Sequence, residues 1–221
     1  MSIVGERGGK TLKKVPFIAV EGPIGVGKSS LAREIADYYQ FRLLNEIVEE
    51  NPFLGNFYKD IDGWSFQTEM FFLCNRYKQL EDIEKYHLNK NEPVVADYHI
   101  FKNQIFAERT LQSKQYEKYK QIYYILTANM PEPNLIIYLK AGLNTLLERI
   151  SLRGRDIEKN IDPAYLLQLT KDYEQFMSKF ISDHPNVPVL TFECDHIDFI
   201  KNKADLEAIF SKIDDQLFIN N

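Results

Sequence analysis

The chain has 221 residues, 44% of them hydrophobic, with a formal net charge of −5 and two cysteines. That size and apolar share suit one compact domain with a substantial core, and the acidic balance excludes an overall basic face for nucleic acid. No apolar run reaches membrane-spanning length, and the isolated Cys74 and Cys194 argue against a zinc or disulfide framework and fit a reducing cytoplasm.

Residues 1–15, rich in glycine and lysine, read as a flexible leader without the apolar centre of a signal peptide; a single domain over 16–221 follows. Phe17 to Val20 reads as a buried strand. It runs into Gly22, Pro23, Ile24, Gly25, Val26, Gly27, Lys28, Ser29 and Ser30, which meet the phosphate-loop pattern G-x4-G-K-[ST] without gaps. Leu31, Ala32, Ile35, Ala36 and Tyr39 then fall on one helix face. The glycines let backbone N–H groups close around phosphate oxygens at a helix N-terminus. Lys28 supplies a charge for the β- and γ-phosphates, and the Ser29 hydroxyl is placed to hold magnesium. The four fixed positions alone arise by chance in about one such chain in a hundred. With strand, turn and helix in the required order, the stretch reads as a nucleoside triphosphate site.

Phe41 to Asn45 makes a second short strand ending in an acidic stretch that starts at Glu46. In open parallel sheets ligands sit beyond the carboxyl ends of the strands, where Glu46 falls, although position alone favours a solvated loop charge. Asp62-Gly63 reads as a break, and Trp64 to about Asn89 as a long helix. There Phe66, Met70, Leu73, Tyr77 and Leu80 alternate spacings of four and three, the seam of a helix packed along another. Trp64, Gln67 and Arg76 are the members of this helix able to face a pocket. Pro93 to Asp97 reads as a third strand; its terminal Asp97 suits the magnesium-side acid of phosphate-loop enzymes, or a simple strand-end turn. His99 reads as locally satisfied, and helices over Gln104–Gln112 and Ser113–Ala128 as structural.

Pro133 to Leu139 is a nearly continuous apolar fourth strand, as in a sheet covered on both faces. A helix from near Leu143 stops at Gly154. Arg149, Arg153 and Arg155 suit its C-terminus electrostatically. In a chain that binds triphosphate they also read as a mobile lid over about residues 149–160, neutralising the transferring phosphoryl group. A helix over Tyr165–Ile181, a fifth strand over Val187–Phe192 and a helix over Lys203–Leu217 complete an α/β three-layer fold, its five-stranded parallel sheet flanked by helices.

EGPIGVGKSS, NEIVEENPFL, the WSFQ helix, VVADYH and RISLRGRDIE together resemble the deoxynucleoside kinase family, most nearly the deoxyguanosine and deoxyadenosine kinases of Gram-positive bacteria. The resemblance spans nearly the whole chain past the leader. It implies a phosphate-loop kinase fold, a homodimer built by helix packing, and MgATP-dependent 5′-phosphorylation of a deoxynucleoside, deoxyguanosine ahead of deoxyadenosine or deoxycytidine. Under it, Glu46 is the general base, Lys28 and the loop amides hold the donor phosphates, and Ser29 and Asp97 serve magnesium. Arg149, Arg153 and Arg155 form the lid, while Glu158 and Tyr58 hold the sugar 3′-hydroxyl. Gln67 pairs with the base edge, Phe66 and Trp64 wall its pocket, and Asp198-Phe199 touches the donor adenine.

Two departures stand out. The family's acid-Arg-Ser is Asp97-Tyr98-His99 here, so the arginine that fixes the catalytic glutamate needs a substitute, and Arg76 is the candidate. The base-reading aspartate of several relatives is Asn103, an amide that both donates and accepts. A thymidylate-kinase-like nucleotide kinase would need cations about an acceptor phosphate, where this chain has glutamates. A non-catalytic nucleotide switch would carry an NKxD motif, which does not occur.

Overall fold

The computed structural model describes residues 6–7, 10–48, 50–158 and 161–220. The expected leader is described only in part. Within it, β1 (Glu6–Arg7) and β2 (Lys10–Leu12) are strands, and β2 pairs antiparallel with the last strand of the chain. The loose-leader expectation therefore gives way over these residues. Leu12 packs against the core, and the Lys13 N–H donates to the Leu217 carbonyl at 2.9 Å.

The domain proper is built on β3 (Phe17–Glu21), every residue of which is buried. Gly22 and Gly27 have φ of 147° and 110°, and α1 (Lys28–Tyr39) follows with the expected buried face of Leu31, Ala32, Ile35, Ala36 and Tyr39. The chain next forms β4 (Arg42–Leu44), a short α2 (Leu54–Phe57) and the long α3 (Ile61–Tyr86). The sequence reading missed α2, which is barely one turn.

The expected break at Asp62-Gly63 is corrected too. Asp60 caps α3, its carboxylate accepting from the Gly63 N–H at 3.1 Å, so both residues lie in the first helical turn. A side-chain cap satisfies one of the donors that every helix start leaves open, which outweighs glycine's weak propensity there. The Leu73 and Leu80 side chains of the predicted seam are buried, with Phe66, Met70 and Tyr77 packed beside them.

Then come β5 (Val94–Ala96), α4 (Lys102–Thr110), α5 (Ser113–Thr127), β6 (Leu135–Lys140), α6 (Leu143–Arg153), α7 (Pro163–Asp183), β7 (Val189–Glu193), α8 (Lys203–Leu217) and β8 (Phe218–Asn220). Gly154 ends α6 in the left-handed conformation, as its sequence position suggested. The main sheet is parallel with strand order β4-β5-β3-β6-β7, giving the α/β architecture read from the sequence. The chain crosses from one side of β3 to the other between β5 and β6. That reversal leaves a crevice beyond the carboxyl ends of the strands, where the phosphate loop, Glu46 and Asp97 emerge. Among the described residues no helix is long and apolar enough to cross a membrane.

If Asp60 starts α3, Asp60→Ala should cost about 1 kcal/mol. A lower midpoint in urea with an unchanged slope would check this; an unchanged midpoint would show that the cap contributes nothing.

Candidate functional site

A cavity of about 970 Å³ opens beyond the strand ends. At one end lies the phosphate loop. A side chain at Gly22 would overlap the Leu139 carbonyl, and one at Gly27 would meet the buried Phe199 ring at 3.0 Å. Only glycine fits these turns, and the positive φ of each says the same. Gly27 caps α1 without a side chain, so the first N–H groups of the helix face the cavity, the arrangement that suits an anion. Ile24, Gly25, Gly27, Lys28, Ser29 and Ser30 line this end; Val26 is buried behind it.

The Lys28 ammonium donates to the Gly22 and Pro23 carbonyls, each at 2.9 Å. Burial, then the nearby Lys102, lower its pKa to about 8. Asp97, at the end of β5, accepts from the Glu46 N–H at 2.6 Å and is hydrogen-bonded to Ser29. Burial, then the Glu46 charge, raise its pKa. Ser29 and Asp97 thus bring a hydroxyl and a carboxylate together below the loop.

Glu46 sits in the middle of the cavity. The Lys102 ammonium donates to both its carboxylate oxygens, at 2.9 and 3.0 Å, and Arg76 forms an ion pair with one of them. Burial alone would raise the carboxyl, but Lys102, Arg76 and Lys28 outweigh it and hold the pKa at about 2. Glu46 is therefore ionised throughout the physiological range. Arg76 does contact Glu46, as anticipated, but it shares the task with Lys102, which the sequence reading missed. The available signal was a lysine at the start of α4, one turn beyond the strand end that carries Asp97. Tyr98, in the place of the family arginine, is buried and donates to Gln79 at 2.6 Å.

Past Glu46 the cavity is walled by Leu54, Phe57, Tyr58, Thr68, Glu69 and Phe72. Here the sequence assignments need correction. Gln67 is exposed, and neither it nor Trp64 or Phe66 lines the cavity. Trp64 stacks with Phe53, and Phe66 packs into the core beside Leu73. The face of α3 that looks inward carries Thr68, Glu69, Phe72 and Arg76. Asn103 is fully buried behind Arg76, accepting from it at 2.5 Å and donating to Tyr119 at 2.8 Å, so it braces the arginine from outside the cavity wall.

Over its described residues the expected lid is held by its arginines. Arg149 donates to the Val26 carbonyl at 2.7 Å and the Cys194 carbonyl at 2.9 Å, tying the phosphate loop to the turn after β7. Arg153 and Arg155 pair with the buried Glu158, which lines the same cavity as Tyr58 and helps to raise the tyrosine's pKa after burial, the larger cause. Residues 159–160 of that segment lie outside the described residues. Asp198 accepts from the Ile200 and Lys201 N–H groups at 3.2 and 3.1 Å, shaping the loop that presses Phe199 onto Gly27.

The arrangement joins an anion cradle, an ionised carboxylate held by two cations, and a part-apolar pocket closed by Tyr58 and Glu158. Lys102→Met would leave Glu46 buried with a single close partner and should destabilise the fold by about 3 kcal/mol at neutral pH. A folded pKa depressed to about 2 gives stability that is present above the unfolded value of 4.5 and lost as pH falls toward 2. The difference in denaturation midpoint should therefore narrow below about pH 4.5; a constant difference would separate Lys102 from Glu46's charge.

The model of the family described as "Deoxynucleoside kinase" matches residues 18–219. The chain is 54% identical over 202 residues to deoxyguanosine kinase of Bacillus subtilis (strain 168), covering 91% of this chain and 98% of that one. It is 29% identical over 206 residues to the deoxyadenosine/deoxycytidine kinase of the same organism, covering 91% and 93%. Among solved structures, deoxyadenosine kinase from M. mycoides with bound dATP superposes with a TM-score of 0.76 at 27% identity, covering 89% of this chain and 98% of that one.

Proposed function

Since the chain belongs to the deoxynucleoside kinase family, and is thus a phosphotransferase, we propose that it transfers the γ-phosphoryl group of ATP to the 5′-hydroxyl of a purine deoxynucleoside, deoxyguanosine first. The observation that carries this reading is Glu46, an ionised carboxylate between the phosphate loop and the part-apolar pocket. An acceptor hydroxyl needs such a group to take its proton, whereas an ionised acceptor phosphate has no proton to give up. Similarity to the deoxyguanosine kinase over nearly the full length supports the base preference.

In this reading the loop amides and Lys28 hold the donor phosphates, and Phe199 and Asp198 flank the donor base. Glu46 hydrogen-bonds the 5′-hydroxyl, aims it at the γ-phosphorus and accepts its proton as the O–P bond forms and the bond to ADP breaks. A carboxylate so acidic contributes mainly by orienting the hydroxyl and takes the proton late. Tyr58 and Glu158 offer partners to the sugar 3′-hydroxyl. Arg149 keeps the loop in shape, while Arg153 and Arg155 stand over the pocket through Glu158.

The hard oxygen donors Ser29 and Asp97 fit magnesium, which is commonly held by one or two protein oxygens together with substrate phosphates. They would hold the ion, and it would offset charge on the β- and γ-phosphates. A homodimer in a reducing cytoplasm belongs to the same reading, supported by the exposed Leu167 and Ile181 on α7 and by the two free cysteines.

A panel of natural deoxynucleosides with MgATP should give its highest kcat/KM with deoxyguanosine. A higher value for deoxyadenosine or deoxycytidine would overturn the base assignment, and turnover of a nucleoside monophosphate alone would overturn the acceptor. Glu46→Gln should lower kcat by about a hundredfold or more with ATP affinity nearly intact. Near-normal kcat would remove Glu46 from the chemistry.

A further inference from the structure

The two oxygens of Glu46 carry different loads. Oε1 accepts from the Lys102 ammonium at 2.9 Å and from Arg76, whereas Oε2 accepts from Lys102 alone, at 3.0 Å. Two hydrogen bonds fill the lone pairs of one carboxylate oxygen, so Oε2 is the oxygen left to meet an acceptor hydroxyl. The ammonium that spans both oxygens has three N–H donors. It makes no third hydrogen bond among the described residues, and the Phe106 ring centre lies 5.6 Å from it. Its side chain is 5% exposed, and it lines the same cavity as Lys28. The two ammonium groups are close enough that Lys102, after burial, is the main influence lowering the Lys28 pKa. Lys102 therefore stands where the acceptor carboxylate and the phosphate loop meet.

We propose that Lys102 is a catalytic residue as well as a partner of Glu46: during transfer its ammonium passes from the Glu46 carboxylate to the oxygens of the transferring phosphoryl group. This rests on the reading of Glu46 as the group that receives the 5′-hydroxyl proton. In that step the 5′-O–H bond breaks as the 5′-O–P bond forms, and the proton goes to Glu46 Oε2. The electron pair of the breaking P–O bond leaves with ADP. Glu46 enters the step ionised and ends it neutral. Lys102 thus loses its counter-charge as the phosphoryl oxygens arrive beside it. A buried ammonium without an anion is costly, so its hydrogen bonds turn to the phosphoryl group. Arg76, braced from behind by Asn103, stays on the carboxyl group. The contact is weak while Glu46 holds the ammonium and strong once the proton has moved. Interactions that strengthen toward the transition state are those that accelerate the chemical step.

The test is a double-mutant cycle read as kcat/KM for MgATP at saturating deoxyguanosine. Glu46→Gln is the background. It removes the buried charge that Lys102→Met alone would strand, and with it whatever Lys102 does through that charge. Adding Lys102→Met should lower kcat/KM by a further tenfold or more, about the least expected for a donor aimed at transition-state charge. The equilibrium affinity for deoxyguanosine alone should stay within about twofold. An unchanged kcat/KM would overturn the proposal and confine Lys102 to holding Glu46. A loss matched by an equal loss of deoxyguanosine affinity would overturn it as well, since that marks damage to the cavity. Lys102→Gln in the same background removes the charge but keeps a hydrogen-bonding group, and it is read in the same way if the methionine variant does not fold. No transfer to deoxyguanosine by the unaltered enzyme would instead overturn the acceptor-site reading, and this proposal with it.

Discussion

A carboxylate buried beyond the ends of a parallel sheet must be paired or neutralised, and Glu46 meets that demand with two cations from different parts of the chain. Arg76 reaches it from the long helix α3 and Lys102 from the first turn of α4. Removing a charge from water costs several kcal/mol, so these three residues hold one another, and the elements that carry them, in one arrangement. Asp97 adds a backbone contact from the end of β5 to the Glu46 N–H. The long helix α3 and the segment running from β5 into α4 thus converge on one residue, Glu46.

The donor half of the cavity is held together by backbone contacts. Gly22 and Gly27 let the loop pass close to Leu139 and Phe199, and Arg149 ties the loop's Val26 carbonyl to the turn after β7. Glu21, fully buried behind the loop, accepts from the His99 N–H at 2.5 Å, joining the base of the loop to the segment between β5 and α4. Loop, acid and lysine are therefore parts of one packed unit, and burial of His99 keeps its pKa low, at about 4.

The features legible in the sequence were those set by local pattern. The phosphate loop has fixed spacing, the parallel strands are continuous apolar runs, and α1 and α6 end or face as their residues demand. Glu46 was legible only as a carboxylate at a strand end, where position alone favoured a solvated loop charge; its expected role came from the family resemblance. What failed was rotation about a helix axis. Gln67 and Glu69 are two positions apart, close to opposite sides of an α-helix, and the aromatic content of α3 does not say which side faces the cavity. The structure settles it through the core, since Phe66, Leu73 and Leu80 pack inward on one face and leave Glu69, Phe72 and Arg76 to another. Lys102 was missed for a related reason. Its link to Glu46 spans 56 positions and depends on how α4 lies against α3, which no local pattern encodes.

The cavity also contains two carboxyl groups that the fold drives in opposite directions. Glu46 and Glu69 are both buried, so solvent loss pushes each toward the neutral form. Glu46 touches Lys102 and Arg76 directly and is held at about 2, whereas Glu69 has only their more distant influence and rises to about 8. Separation of this kind assigns different work to chemically identical side chains. The group gripped by cations is the one that stays charged. The other is left with an oxygen that has no hydrogen-bond partner among the described residues, on the wall that carries Phe72. One helix face, the turns of α3 from Glu69 to Arg76, supplies both a cation that holds the first and the acid that is the second.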